Sequence, residues 1–260
     1  MKKMIAILLA LVLCVGLLAG CAKKPEEKPV FVHGFDRDFP PFTYIDDAGN
    51  TAGFDVELCQ AACELLGWEY QPYPLNWDTK QAELESDACD CIWSGFTRNG
   101  LEEDYLWSKT YSRNTQMILV AEDSGIKTLE DLAGKLVGVQ TNTSAYNLLN
   151  DPEGAADLTA TFASLEVYDT YTVAFNALKA GAIDAVAIDI TSGEYLIRDE
   201  TGFVFLEEML GDEEYAIGFR KGDTELCDKI NEALDQLVAN GKYAELGEKY
   251  GVGEFLCLGK

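Results

Sequence analysis

Residues 90–108 read DCIWSGFTRNGLEEDYLWS. A short apolar run ends in Ser94, Gly95 and Thr97, and then come Arg98, an Asn99-Gly100 turn and three acids. Hydroxyls and sparsely covered backbone are hydrogen-bonding groups, and they stand here at the end of a buried strand with one basic residue among many acids. Covalent chemistry has little to work with. His33 is the single histidine, and no Ser/His/Asp or Cys/His arrangement can be argued around it from spacing. Eight cysteines are present. Cys14 and Cys21 fall in the N-terminal leader. Cys59 and Cys63 stand one helical turn apart, and Cys89 and Cys91 share one strand face; with Cys227 and Cys257 they make the remaining six. Their spacing is not a usual zinc pattern. The expectation is small buried core residues, with a disulfide between the two pairs as the second choice, and no metal or cofactor.

The ends of the chain narrow the compartment. Met1-Lys2-Lys3 is a short basic start, residues 5–18 are almost wholly apolar, and Leu18-Ala19-Gly20-Cys21 closes the segment. That is an export signal over 1–20, short for a membrane-spanning helix. Its last four residues resemble a bacterial lipobox, which makes Cys21 the lipidated new N-terminus. Residues 21–29, charged and proline-bearing, read as a solvated tether. Cleavage before Cys21 leaves 240 residues, enough for two modest lobes or one large domain. Losing Lys2 and Lys3 leaves 18 basic residues against 45 acids, a formal charge near −27. Nucleic acid is excluded as a partner, because phosphate contacts need basic patches.

The elements that must position these residues alternate. A strand over 30–34 runs into Asp36 and a loop through Phe39-Pro40-Pro41-Phe42, where two prolines interrupt any ladder. A helix spans 54–66, with Asp55 as its N-cap and Gly67 as its stop. Strands at 68–73 and 89–93 flank a second helix at 77–84. The pattern repeats: a short helix at 128–132, strand 136–140, helix 143–149, strand 165–168, helix 171–180, strand 183–188, helix 191–196 and strand 203–206. Strands alternating with helices imply mostly parallel sheets covered on both faces, an α/β architecture. Further strands at 117–120 and 215–219 lie far apart in sequence. Two helices, 224–239 and 243–250, close the chain.

At this level the chain resembles a known family. GFDVELCQAACELLG, SGFT, SGIKTLEDLAGKLVGVQ, ALKAGAIDAVAID and RKGDTELCDKINEALDQLVANGKYAELGEKYG follow in the order and spacing of the polar amino-acid solute-binding proteins of ABC importers. The resemblance covers essentially all of 30–251. It implies a periplasmic-binding-protein-like fold of two lobes, 30–116 with 218–260 and 117–217, joined by two hinge strands with a ligand cleft between them. It also implies extracytoplasmic binding of a small polar solute, an amino acid above all, by a monomer tethered to the membrane that hands its ligand to permease subunits. Site residues carry over by position. Ser94, Gly95 and Thr97 supply hydroxyls and backbone to the ligand. Asn142, Thr143 and Ser144 open a helix whose N–H groups suit a carboxylate, or are a plain cap; glycine usually stands at the place of Asn142. Asp189 matches the ammonium-binding acid, or is a helix cap. Asp36 matches an acid at the cleft entrance, and Phe39 and Phe42 match aromatics beside it, one of which stacks on the ligand. Trp77 and Trp93 are either pocket lining or core. The arginine that clamps the carboxylate in the family falls at Leu101 or Glu102 here, so Arg98 is the expected replacement, with Arg37 or Arg113 behind it, or else the ligand is an amine.

Two other readings belong on the same fold. One is a cyclohexadienyl-dehydratase-like enzyme, which needs a placed general acid. The other is a ligand-sensing lipoprotein.

Overall fold

Alternating apolar strands and amphipathic helices have to bury both faces of each sheet, and here they do so twice. The structure is a computed structural model, and it describes residues 28–46 and 48–260. The expected leader at 1–20, the lipidation residue Cys21 and most of the tether lie outside the described residues. The first sheet has five strands in the order Glu69–Leu75, Val30–Asp36, Cys91–Ile92, Gly218–Phe219 and Leu106–Trp107. The second runs Ser164–Tyr168, Leu136–Gln140, Ala185–Asp189, Ser112–Ala121 and Phe203–Phe205, with Gly211–Tyr215 paired to the start of the long strand.

Helix Phe54–Leu66 follows from its spacing. Phe54, Leu58 and Ala62 form one buried row, with Cys59 and Cys63 in the next. Burying a leucine such as Leu58 contributes about 1.5–3 kcal/mol. Gly67 ends the helix in the left-handed conformation, its N–H returning to the carbonyls of Cys63 and Glu64. The N-cap is Gly53 (φ 125°), not Asp55. A Cβ at Gly53 would sit 2.1 Å from the Phe42 carbonyl oxygen, so the chain enters the helix where only glycine fits. Asp55 is drawn inside instead. The six cysteines among the described residues are free thiols, all buried except the half-buried Cys257.

The long strand Ser112–Ala121 lies in the second sheet and changes partner along its length. Its first half pairs antiparallel with Gly211–Tyr215, and its second half, Gln116 to Val120, with Asp189 to Ala185. The expected strand at 215–219 is split, because its partners change. Tyr215 pairs with Ser112, the Ala216 N–H donates to the Phe96 carbonyl, and Gly218 pairs with Ile92 and Trp107 in the first sheet. The expected helix at 77–84 also divides. Trp77–Thr79 is a turn of 3₁₀-helix, with the Asn76 side chain accepting from the Asp78 N–H, and Lys80–Glu85 continues as α-helix. In 3₁₀ winding, side chains three apart eclipse, which places Lys80 over Trp77.

Strands Val30–Asp36, Leu136–Gln140 and Ala185–Asp189 end at Asp36, Gln140 and Asp189, and all three line the same cavity. Carboxyl ends of parallel strands are where open α/β sheets place ligands.

Candidate functional site

The first lobe builds its wall from the ends of two adjacent strands. Asp36 is buried; its N–H donates to Ser94 Oγ at 3.1 Å, and that hydroxyl lies 2.5 Å from Thr43 Oγ1. The Asp36 carboxylate accepts from its neighbour's Asp38 N–H and, across the cleft, from Gln140 Nε2, both at 3.0 Å. Burial pushes this carboxyl up from its ordinary range. The next residues are held from below. Asp55 Oδ2 accepts from the Gly95 N–H and from the Tyr111 hydroxyl, each at 2.7 Å. Gly95 is left-handed (φ 51°), and a Cβ there would lie 2.5 Å from the Phe39 ring, so a small residue is needed to let that ring reach the cavity. Thr97 Oγ1 donates to Glu213 Oε2 at 2.6 Å.

The second lobe answers with Gln140, Asn142, Thr143, Ser144 and Asp189. Asn142 is left-handed (φ 52°), a conformation asparagine tolerates. Its carbonyl accepts from Trp77 Nε1 at 3.1 Å, and its Nδ2 donates to Asp78 Oδ1 at 2.7 Å. Thr143 caps the helix Ser144–Asn150, accepting from the Tyr146 N–H at 3.3 Å. Asp189 is also an element boundary, but its side chain makes no cap bond. It turns to a buried polar cluster. Its Oδ1 accepts from Asn114 Nδ2 at 2.7 Å and from the Tyr215 hydroxyl, while Asn114 Nδ2 and Gln116 Nε2 also donate to Glu213 Oε1. Asp189 and Glu213 are 3% and 2% exposed, and among the described residues neither forms an ion pair. Burial first, and Glu213 second, push the Asp189 carboxyl well above the usual carboxylate range. Gln116 Oε1 is buried without a hydrogen-bond partner, an acceptor beside this cluster.

The cavity between these walls measures about 700 Å³. Of the expected site residues, Asp36, Phe39, Ser94, Gly95, Thr97, Asn142, Thr143, Ser144 and Asp189 line it. Phe42 and Arg98 do not. Phe42 is fully buried, 5.1 Å from the Tyr215 ring and 6.1 Å from that of Phe54. Arg98 is half-buried, with its backbone N–H on the Glu214 carbonyl. Trp77 lines the cavity, whereas Trp93 is core. His33 is core as well, its Nε2 2.6 Å from the Trp93 carbonyl and its Nδ1 3.1 Å from the Tyr70 hydroxyl.

Sequence reasoning missed Lys80, Gln116, Gln140 and Glu213. Lys80 sits in a stretch that reads as the polar face of a surface helix, and Glu213 in an acidic run; only the Trp77-to-Lys80 spacing, read as a capped 3₁₀ turn after Asn76, pointed to the lysine. The lining carries five aspartates, Asp36, Asp78, Asp151, Asp189 and Asp212, against one cation, Lys80. Such a cavity offers a small polar molecule a buried carboxyl at Asp189, hydroxyls and amides along its walls, and the aromatic rings of Phe39 and Trp77.

Comparisons with known proteins agree with this architecture. Residues 31–253 match the model of the bacterial extracellular solute-binding proteins, family 3. The arginine-binding extracellular protein ArtP of Bacillus subtilis is 30% identical over 98% of this chain and all of its own length. An L-arginine-binding protein of Pseudomonas aeruginosa is 32% identical, covering 96% of each chain. Among solved structures, the substrate-binding protein of an ABC uptake transporter from Streptococcus pneumoniae, with bound histidine, superposes with a TM-score of 0.80 at 33% identity, over 85% of this chain and 92% of that one. A match across nearly the whole chain, on two sheets whose strand ends meet at one cavity, leaves a single assignment: this chain belongs to family 3 of the bacterial extracellular solute-binding proteins.

Proposed function

We propose that the cavity holds one α-amino acid for delivery to an ABC importer, with the ligand's ammonium received by Asp189 and Gln116 Oε1. Hydroxyls and backbone at Ser94, Gly95, Thr97, Thr143 and Ser144 take the remaining polar edge, and Phe39 and Trp77 flank the side chain. The observation that carries this reading is the make-up of the lining, five carboxyl side chains against one lysine. That balance selects a cationic or zwitterionic solute and disfavours an anionic one, so basic and neutral amino acids should bind more tightly than aspartate or glutamate. The relatives' arginine and histidine ligands support the same choice. The basic start, apolar run and terminal Cys21 support export and lipid anchoring of the mature chain outside the cell membrane.

The test is a thermal-shift and calorimetric screen of the mature protein against all twenty amino acids. Binding of at least one basic or neutral member is expected. Asp189→Ala should then lose ten- to a hundredfold in affinity with the fold retained, the scale of a charged hydrogen bond at about 1.5–3 kcal/mol. No binding by any amino acid, or sustained turnover of a cyclic acid, overturns the reading.

A further inference from the structure

A carboxylate brought into a closed cleft needs a cation or a dense set of donors. Neither Arg37, Arg98 nor Arg113 lines the cavity, and Arg37 and Arg113 are exposed. Lys80 does line it. The 3₁₀ turn Trp77–Thr79 delivers it there, three residues after Trp77, so that its ammonium stands 4.5 Å above the Trp77 ring centroid and 5.9 Å from that of Phe96. It donates to the Trp77 carbonyl at 3.2 Å and to that of Asn142 at 3.5 Å. Both bonds are long for a charged donor, which prefers about 2.7–2.9 Å. Among the described residues no carboxylate lies within ion-pairing distance of it. Asp78 is engaged by Asn142 and Asp36 by Gln140, and these two acids act on Lys80 only from longer range. An ammonium with three N–H donors is thus half-satisfied, at the seam where Asn142-Thr143-Ser144 of the second lobe meets the first.

We infer that Lys80 grips the ligand's carboxylate, in the role for which Arg98 is the expectation from sequence. The inference rests on the amino-acid reading above and adds the anion-recognising residue to it. Burial lowers the Lys80 ammonium to about 8, so it remains mostly charged at neutral pH, and an arriving carboxylate would relieve its desolvation. Lysine is a point charge without arginine's planar fork. The carboxylate is therefore held by one strong bond plus the neighbouring hydroxyls and amides.

The experiment compares amino acids with their decarboxylated amines: L-arginine with agmatine, and L-histidine with histamine. Calorimetry at neutral pH is run on the wild type, Lys80→Met and Arg98→Ala. The expected result is that Lys80→Met weakens the bound amino acids tenfold or more, about 1.4 kcal/mol, and moves amine binding less than twofold. Arg98→Ala should change neither. A lysine that only braces Trp77 and Asn142 would weaken acid and amine alike, and that outcome overturns the inference. So does wild-type binding of an amine as tight as that of its amino acid, which leaves solute binding intact but removes the carboxylate contact. If no amino acid in the twenty-member screen binds, the functional reading falls and this inference falls with it. Nitrogen-15 NMR of the Lys80 ammonium gives a second readout on unmutated protein: its pKa should rise when the amino acid is added and stay put with the amine. An unmoved pKa on saturation with the amino acid overturns the inference even if Lys80→Met fails to fold.

Discussion

Asp55 ties the ligand-facing loop to the protein's interior, and its protonation has a calculable consequence. It is wholly buried, its Oδ2 holds the Gly95 N–H and the Tyr111 hydroxyl, and its Oδ1 has no partner. Burial pushes its carboxyl up to about 7, against ~3.9 for an unfolded aspartate. Between those values the native state holds a proton that the unfolded chain has released. The stability from this group is therefore full below about pH 4 and lost as pH rises to about 7, by roughly 4 kcal/mol at ~1.4 kcal/mol per unit. His33 works in the opposite sense. Burial lowers it to about 4, so the unfolded chain gains a proton first as pH falls from about 6.5, and stability is lost on acidification through that window. In urea unfolding from pH 4 to 7, Asp55→Asn should gain stability relative to wild type as pH rises, by a few kcal/mol. Parallel curves for the two proteins would show that Asp55 titrates normally.

At the scale of elements, the turn at 140–144 works as a clasp between lobes. Asn142 presents its carbonyl to Trp77 Nε1 and its side chain to Asp78, while Gln140 reaches Asp36. On the far side of the cleft, Thr172 Oγ1 donates to Asp38 Oδ1 at 2.8 Å. Asn142→Gly keeps the left-handed backbone and the carbonyl contact but deletes the Asp78 bond. One hydrogen bond to a carboxylate is worth about 1.5–3 kcal/mol when buried and less where exposed, as here. The expected effect is a loss of affinity of up to about tenfold, expressed in a faster off-rate. The melting temperature should scarcely move, because relief of the non-glycine left-handed strain offsets the larger entropy of the unfolded glycine. Stopped-flow dissociation kinetics check this; an unchanged off-rate means the clasp contributes nothing to the closed form.

At the scale of the molecule, these cross-cleft bonds describe a closed arrangement, with the cavity's two walls supplied by different lobes on a pair of connecting strands. Ligand binding should compact the protein, since closure buries the cleft around the solute. Small-angle scattering should register a smaller radius of gyration with any amino acid that raises the melting temperature, and an unchanged radius would contradict hinge closure. The formal charge of −25 on the full chain adds a long-range field that favours cationic solutes at low salt and fades as the Debye length shrinks.

Much of this was legible along the chain because it is locally encoded. Apolar periodicity marked the helix at 54–66 and the buried strand leading to Asp189, and cap and stop residues marked where elements end. Those ends are where the two sheets place Asp36, Ser94, Asn142 and Asp189 around one cavity. Other decisions belong to tertiary structure. Lys80 and Arg98 are both lone cations in polar stretches, and which of them enters the cleft depends on a 3₁₀ turn packing against Phe96 and on the second lobe's Asn142. Glu213 reads as one acid in the run GDEE until the pairing of Gly211–Tyr215 with Ser112–Ala121 turns it inward beside Asp189. Asp55 reads as a helix cap until Gly53 takes that place and Gly95 claims its carboxylate. The physical reason is common to all three. An apolar residue needs only to be inside, and its spacing says which face that is; a buried polar or charged group needs particular partners, and here, Trp77 beside Lys80 apart, those partners lie tens of residues or more away in sequence.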